Sequence, residues 1–153
     1  MKRTMLRALP MLLCAALLFG GAMAEDVKPC ADILAAVEAE GTFEELTALS
    51  EAQILKYLDL EEGMLSDLAM SMDASRATAE MIAVLTATDE DALEIAQEAL
   101  EAYRDVTLEQ YRNYQPTEIP KLEDAVLLTK GLQTALIVSG DAEQAEKALE
   151  EAW

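Results

Sequence analysis

Between Leu65 and Met72 the chain alternates. Leu68, Met70 and Met72 fall on one face; Asp67, Ala69 and Ser71 fall on the other. Period two marks a half-buried strand. The next apolar run, 80–87, carries Met81, Ile82, Val84 and Leu85 on both faces, as a central strand does. Ala and Met are weak strand formers, so a single helix through 64–87 is the competing reading. At Thr88 the period changes. Thr88-Asp89-Glu90-Asp91 places a Thr cap and three carboxylates at the positive end of a helix macrodipole. Leu93, Ala96, Leu100, Tyr103, Tyr111 and Tyr114 then line one stripe, while Glu94, Glu98, Glu101 and Asp105 occupy the other side. That spacing predicts a long amphipathic helix over about 89–114, stopped by Pro116.

Downstream, 126–129 and 133–139 read as two strands, with Lys130-Gly131 as the tight turn between them. Gly140-Asp141 ends the hairpin and caps a last helix, 142–153, with Ala145, Ala148, Leu149 and Ala152 inward. Upstream, Pro29 opens a helix over about 29–40 with Ile33, Leu34 and Val37 on one face and Gly41 as its stop. Thr42-x-x-Glu45 and Ser50-x-x-Gln53 are capping-box patterns. They predict two further short helices, the first with Phe43, Leu46 and Leu49 inward and the second with Ile54, Leu55 and Leu58 inward. The predicted architecture is α+β: short N-terminal helices, then β-β-α-β-β with an antiparallel sheet and one long helix packed on it, and a C-terminal helix.

The first 24 residues read differently. Lys2, Arg3 and Arg7 precede an apolar stretch, 8–20, and Ala22-Met23-Ala24 has the small-x-small form of a cleavage site. That is the pattern of a secretory signal peptide, with cleavage after Ala24 and one α+β domain over 25–153. The apolar run is shorter than the roughly 20 residues of a membrane span. Neither Cys14 nor Cys30 stands in a lipoprotein context, so the expectation is a released protein rather than a lipid-anchored one. Three of the 11 basic residues precede residue 25 and all 30 acidic residues lie within 25–153, so that stretch carries a formal charge of −22. Such a surface repels nucleic acid and anionic lipid. Cys30 is the one cysteine after the leader, expected as a buried apolar residue in the first helix.

Four cues in order carry a resemblance: the strand Met81-Ile82-Ala83-Val84, the helix start Thr88-Asp89-Glu90-Asp91, the helix end Tyr111-x-x-Tyr114-x-Pro116, and the hairpin from Ala125-Val126 through Lys130-Gly131 to Ala135-Leu136-Ile137-Val138-Ser139. The chain resembles the bacterial domain-of-unknown-function family 4358 over about residues 30–140. The resemblance implies an α+β fold in small exported or lipid-anchored proteins of the cell envelope, and favours strands over 65–87. It implies no activity, so no functional residue is carried over from it.

Candidate chemistry is sparse. The chain has no histidine, which removes the usual general base and zinc ligand. Any Ser–Lys pair would draw on Lys56 or Lys130, but Ser50 reads as a cap and Ser139 as a strand end. The carboxylate pairs Glu44/Glu45, Glu61/Glu62 and Glu150/Glu151 sit at helix ends or loops. The acidic run at Asp89 lacks the alternation and central Gly of a calcium loop, and the glycines are isolated, unlike a phosphate loop. No cofactor and no metal is expected. The one pattern that points to recognition is Tyr103, Tyr111 and Tyr114 near one helix face, with Arg104 and Arg112 beside them. Its plainer reading is ring packing on the sheet. The leading expectation is an exported, acidic, non-enzymatic module binding an unknown protein or small ligand, with Tyr103, Arg104, Tyr111 and Tyr114 as its face. The alternatives are a carboxylate-based enzyme, or an assembly protein pairing through a sheet edge or Cys30.

Overall fold

A computed structural model describes residues 27–153. The expected signal peptide and the expected cleavage after Ala24 fall outside the described residues. The order is α1 (Cys30–Glu40), β1 (Thr47–Ala48), α2 (Glu51–Leu58), β2 (Leu65–Met72), β3 (Met81–Ala87) and α3 (Glu90–Tyr114), then a 3₁₀ turn (Pro116–Glu118), α4 (Ile119–Glu123), β4 (Val126–Lys130), β5 (Gln133–Val138) and α5 (Ala142–Ala152). The fold is α+β, with one long helix and a C-terminal helix on an antiparallel sheet, as the residue pattern predicts.

The sheet has five strands in the order β1-β2-β3-β5-β4, and each neighbouring pair is antiparallel. All seven residues of β3 are buried, because it lies at the sheet centre with helices on both faces. Met81, Ala83 and Leu85 point with Leu136 and Val138 into a core shared with Ile54, Leu100 and Tyr111 of α2 and α3. Ile82, Val84, Ala135 and Ile137 point the other way, against Ile33 and Val37 of α1 and Leu149 of α5. A strand apolar on both faces needs two such layers. The region 64–87 is therefore two strands, and the single-helix alternative is excluded.

Three local expectations are corrected. The segment after Thr42 is extended rather than helical, and Thr47–Ala48 pairs with Met72 and Ser71 as a short edge strand. Its capping-box pattern loses to sheet pairing. Gly41 does end α1, its N–H donating to the Val37 carbonyl, but at φ −83° rather than in the left-handed region; a Cβ there would strike the Phe43 ring and the Val37 carbonyl. The cap of α3 is Asp89, whose carboxylate accepts from Ala92 N at 2.8 Å, while the Thr88 hydroxyl donates to the Met64 carbonyl. The Ser50/Gln53 capping box and the Asp141 cap form as predicted. Between β4 and β5, Gly131 takes φ +58° in the two-residue turn. No helix among the described residues is long and apolar enough to cross a membrane.

Candidate binding hollow between the β2–β3 loop and the long helix

The loop joining β2 to β3 is polar and short, and its hydrogen bonds fix it. Asp73 turns back into it. One carboxylate oxygen accepts from Ser75 N (2.7 Å) and Oγ (2.6 Å), the other from Thr78 N (2.8 Å) and Oγ1 (3.1 Å). Burial works to raise the Asp73 pKa, but the bonds from Ser75 and Thr78 outweigh it and hold the carboxyl at about 2. The charged form is therefore favoured by folding. Its contribution is complete above the ordinary value of 3.8 and is lost as pH falls through about 2. Asp73→Asn should cost about 1–3 kcal/mol at pH 7, because an amide NH₂ would face the Thr78 N–H. Urea unfolding at pH 7 and near pH 2 tests this: the gap between wild type and variant should narrow in acid.

Three contacts from the end of α3 and the following turn clamp the same loop. The Tyr111 hydroxyl donates to the Thr78 carbonyl at 2.6 Å, with the Arg76 carbonyl at 3.3 Å. The Gln115 amide donates to the Ala77 carbonyl at 2.7 Å, and Ala79 N donates to Glu118 at 2.9 Å. Under these ties Arg76 sits at φ +58°. A bulky residue held in that left-handed region costs on the order of 1 kcal/mol and persists only where its surroundings over-determine it.

Between this loop and α3 lies a hollow of about 220 Å³. Tyr57, Tyr103 and Tyr111 supply its rings, Met72, Met81 and Val106 its apolar wall, and Arg76 its rim. Tyr57 and Tyr103 meet edge to face, 6.4 Å between centroids. A second hollow of about 270 Å³ adjoins it, sharing Arg76, Gln110 and Tyr111 and ending at Tyr114. Burial pushes the Tyr103 and Tyr111 phenols above their ordinary range; the positive charge of Arg76 acts against that on both.

The four residues expected to form a face are thus divided. Tyr103 and Tyr111 line the hollow. Tyr114 is 68 % exposed rather than buried; its ring rests on Tyr111 edge to face, at 6.1 Å. Arg104 pairs with Asp105 at 2.8 Å and does not line either hollow. The cation at the site is Arg76, and Tyr57 completes the rings. Neither was singled out from sequence, since they come from other segments. The signal that was there is Asp73-x-Ser75-Arg76, a turn-forming Asp before a lone cation in a polar connection.

Beneath the hollow lies a buried charge cluster. Lys121 reaches Glu80 at 2.9 Å and Glu118 at 3.0 Å. Glu80 also accepts from Glu44 N at 2.6 Å. On the opposite sheet face Cys30 is fully buried, its sulfur 3.1 Å from the Thr86 hydroxyl, and burial pushes the thiol up to about 12. It is a neutral packed thiol, as expected. A larger open space of about 450 Å³ beside α5 is walled by solvated residues such as Glu40, Glu143, Lys147 and Glu151, with no ring to shape a ligand. No group of three or more metal-ligating side chains is found among the described residues.

No curated protein and no solved structure matches this chain. A family model does match, over residues 39–139, a range that holds the sheet, α2, α3 and every residue lining the two hollows. The chain therefore belongs to the family described as Domain of unknown function (DUF4358).

Proposed function

We propose that this protein is an exported, non-enzymatic binding module whose site is the tyrosine hollow between the β2–β3 loop and α3. The observation that carries the reading is the loop. Asp73, Tyr111, Gln115 and Glu118 together hold a strained arginine at the rim of an aromatic cavity. Strain retained in this way marks pre-organisation for a ligand. Export is supported by the charged, apolar and small-residue segments of 1–24.

A binding role is favoured over a catalytic one by what the hollow presents. Its hydroxyls belong to Tyr and Thr, with no histidine anywhere in the chain to activate them. A carboxylate enzyme would have to use Glu80 and Glu118, the two buried carboxylates that come together. Glu118 does not line the hollow, and both Glu80 oxygens are engaged by Lys121 and Glu44 N. Pairing of chains through Cys30 would require α1 to lift away, since the sulfur is fully buried.

The test is thermal unfolding of the purified protein against the small-molecule fraction of the medium in which its own organism grows, beside affinity capture from that medium. A ligand at 100 times its Kd adds about 2.7 kcal/mol of stability. The expected result is a higher Tm for wild type and none for Tyr57→Ser, which removes the half-exposed rim ring. Finding neither a stabilising molecule nor a captured partner would overturn the proposal.

A further inference from the structure

We infer that the hollow receives a small monocarboxylate, with the Arg76 guanidinium on the carboxylate and the Tyr57, Tyr103 and Tyr111 rings around an apolar or aryl body. The inference rests on the hollow being the binding site and adds the class of ligand.

The first ground is charge. Residues 25–153 hold 30 carboxylates and eight cations. In that surplus, Arg104, Arg112, Lys121 and Lys147 each pair with a carboxylate. Arg76, like Lys28, Lys56 and Lys130, is in no ion pair among the described residues, although Asp73 stands three positions before it; of these four it alone lines the hollow. Both Asp73 oxygens are taken by Ser75 and Thr78. The loop thus satisfies its own carboxylate internally and leaves the guanidinium without one.

The second ground is conformation. Arg76 occupies φ +58°, where Gly or Asn is easier to place. The ties from Tyr111 and Gln115 fix its backbone next to the cavity, so little ordering remains to be done on binding.

The third ground is the lining. Arg76 is the one cation lining either hollow, and the one carboxylate there, Glu80, has both oxygens engaged by Lys121 and Glu44 N and does not reach Arg76. A single guanidinium balances a single negative charge. A phosphate dianion would be left half-compensated within an acidic protein, and an amine would meet like charge in spite of the rings. The planar fork of Arg matches a carboxylate through two parallel hydrogen bonds. The cavity of about 220 Å³ limits the body to a single ring or short chain.

The test is an amide chemical-shift titration of the whole protein with benzoate, benzyl alcohol, benzylamine and inorganic phosphate at low ionic strength. Wild type is compared with Arg76→Asn, which tolerates the left-handed backbone without the charge, and with Arg76→Lys, which keeps charge without the fork. Benzoate should bind at least about tenfold tighter than benzyl alcohol, with shifts at Arg76, Tyr103 and Gln110. Benzylamine and phosphate should bind more weakly than benzoate. Arg76→Asn should erase the tenfold preference, and Arg76→Lys should retain part of it. Equal affinity for benzoate and benzyl alcohol, or an unchanged benzoate affinity in Arg76→Asn, would overturn the carboxylate assignment and leave the hollow as a site. Shifts at the hollow with none of the four probes would overturn the assignment and the choice of site together.

Discussion

Replacing Lys121 with methionine should destabilise the fold by about 3–5 kcal/mol, the range for breaking a buried ion pair by removing one partner. One ammonium serves two carboxylates: Glu80, 4 % exposed, and Glu118, 6 % exposed. Methionine keeps most of the apolar stem, so the loss isolates the charge. Two buried carboxylates would then share a site without their counter-charge. Burial lowers the Lys121 pKa, but the bonds to Glu80 and Glu118 dominate and raise it above 10.5. The wild-type contribution is thus complete below 10.5 and is lost only as pH climbs through the raised value. A triple variant with Lys121→Met, Glu80→Gln and Glu118→Gln should recover most of the loss, because no charge stays buried. Denaturant unfolding of the three proteins at pH 7 reads both effects; a Lys121→Met cost under about 1 kcal/mol would show the cluster to be incidental.

Tyr111→Ala should cost a similar amount, about 3–5 kcal/mol, as for other large buried aromatics. The ring is 6 % exposed and packs in the core with Met81, Leu100 and Leu122. Its hydroxyl ties the β2–β3 loop to α3 through Thr78 and Arg76. Tyr111→Phe separates the two roles. It keeps the ring and should cost only about 1 kcal/mol, the net worth of an intramolecular hydrogen bond. It should nevertheless weaken binding in the hollow, since the loop carrying Arg76 loses a tie. Unfolding free energies and benzoate affinities measured on the same two variants test the split. Equal stability of Tyr111→Phe and Tyr111→Ala would show that the ring contributes nothing, contrary to its burial.

Much of the fold is legible because its signals are local. The alternation at 65–72, the two-sided apolar run at 81–87 and the stripe through Leu93, Ala96 and Leu100 each follow from the period of one element. Where the expectation fails, a distant partner decides. Thr42-x-x-Glu45 has the form of a helix start, yet Thr47 and Ala48 find Met72 and Ser71 across a strand, and pairing prevails. Tyr114 continues the stripe in sequence, yet it is left exposed with only Tyr111 against its ring. The site was half legible for the same reason. Tyr103 and Tyr111 lie on one helix and share a period. Tyr57 reaches them from α2, and Arg76 from a loop whose left-handed backbone has no glycine to announce it.

The central claim is that the tyrosine hollow is where this protein binds. Its most direct test is an amide shift map of the whole protein titrated with the small-molecule fraction of its own organism's medium. Perturbations should be confined to residues 72–81, Tyr57 and the stretch of α3 from Tyr103 to Tyr111. Perturbations centred elsewhere, such as the space around Lys28, Gly131 and Trp153, would contradict it.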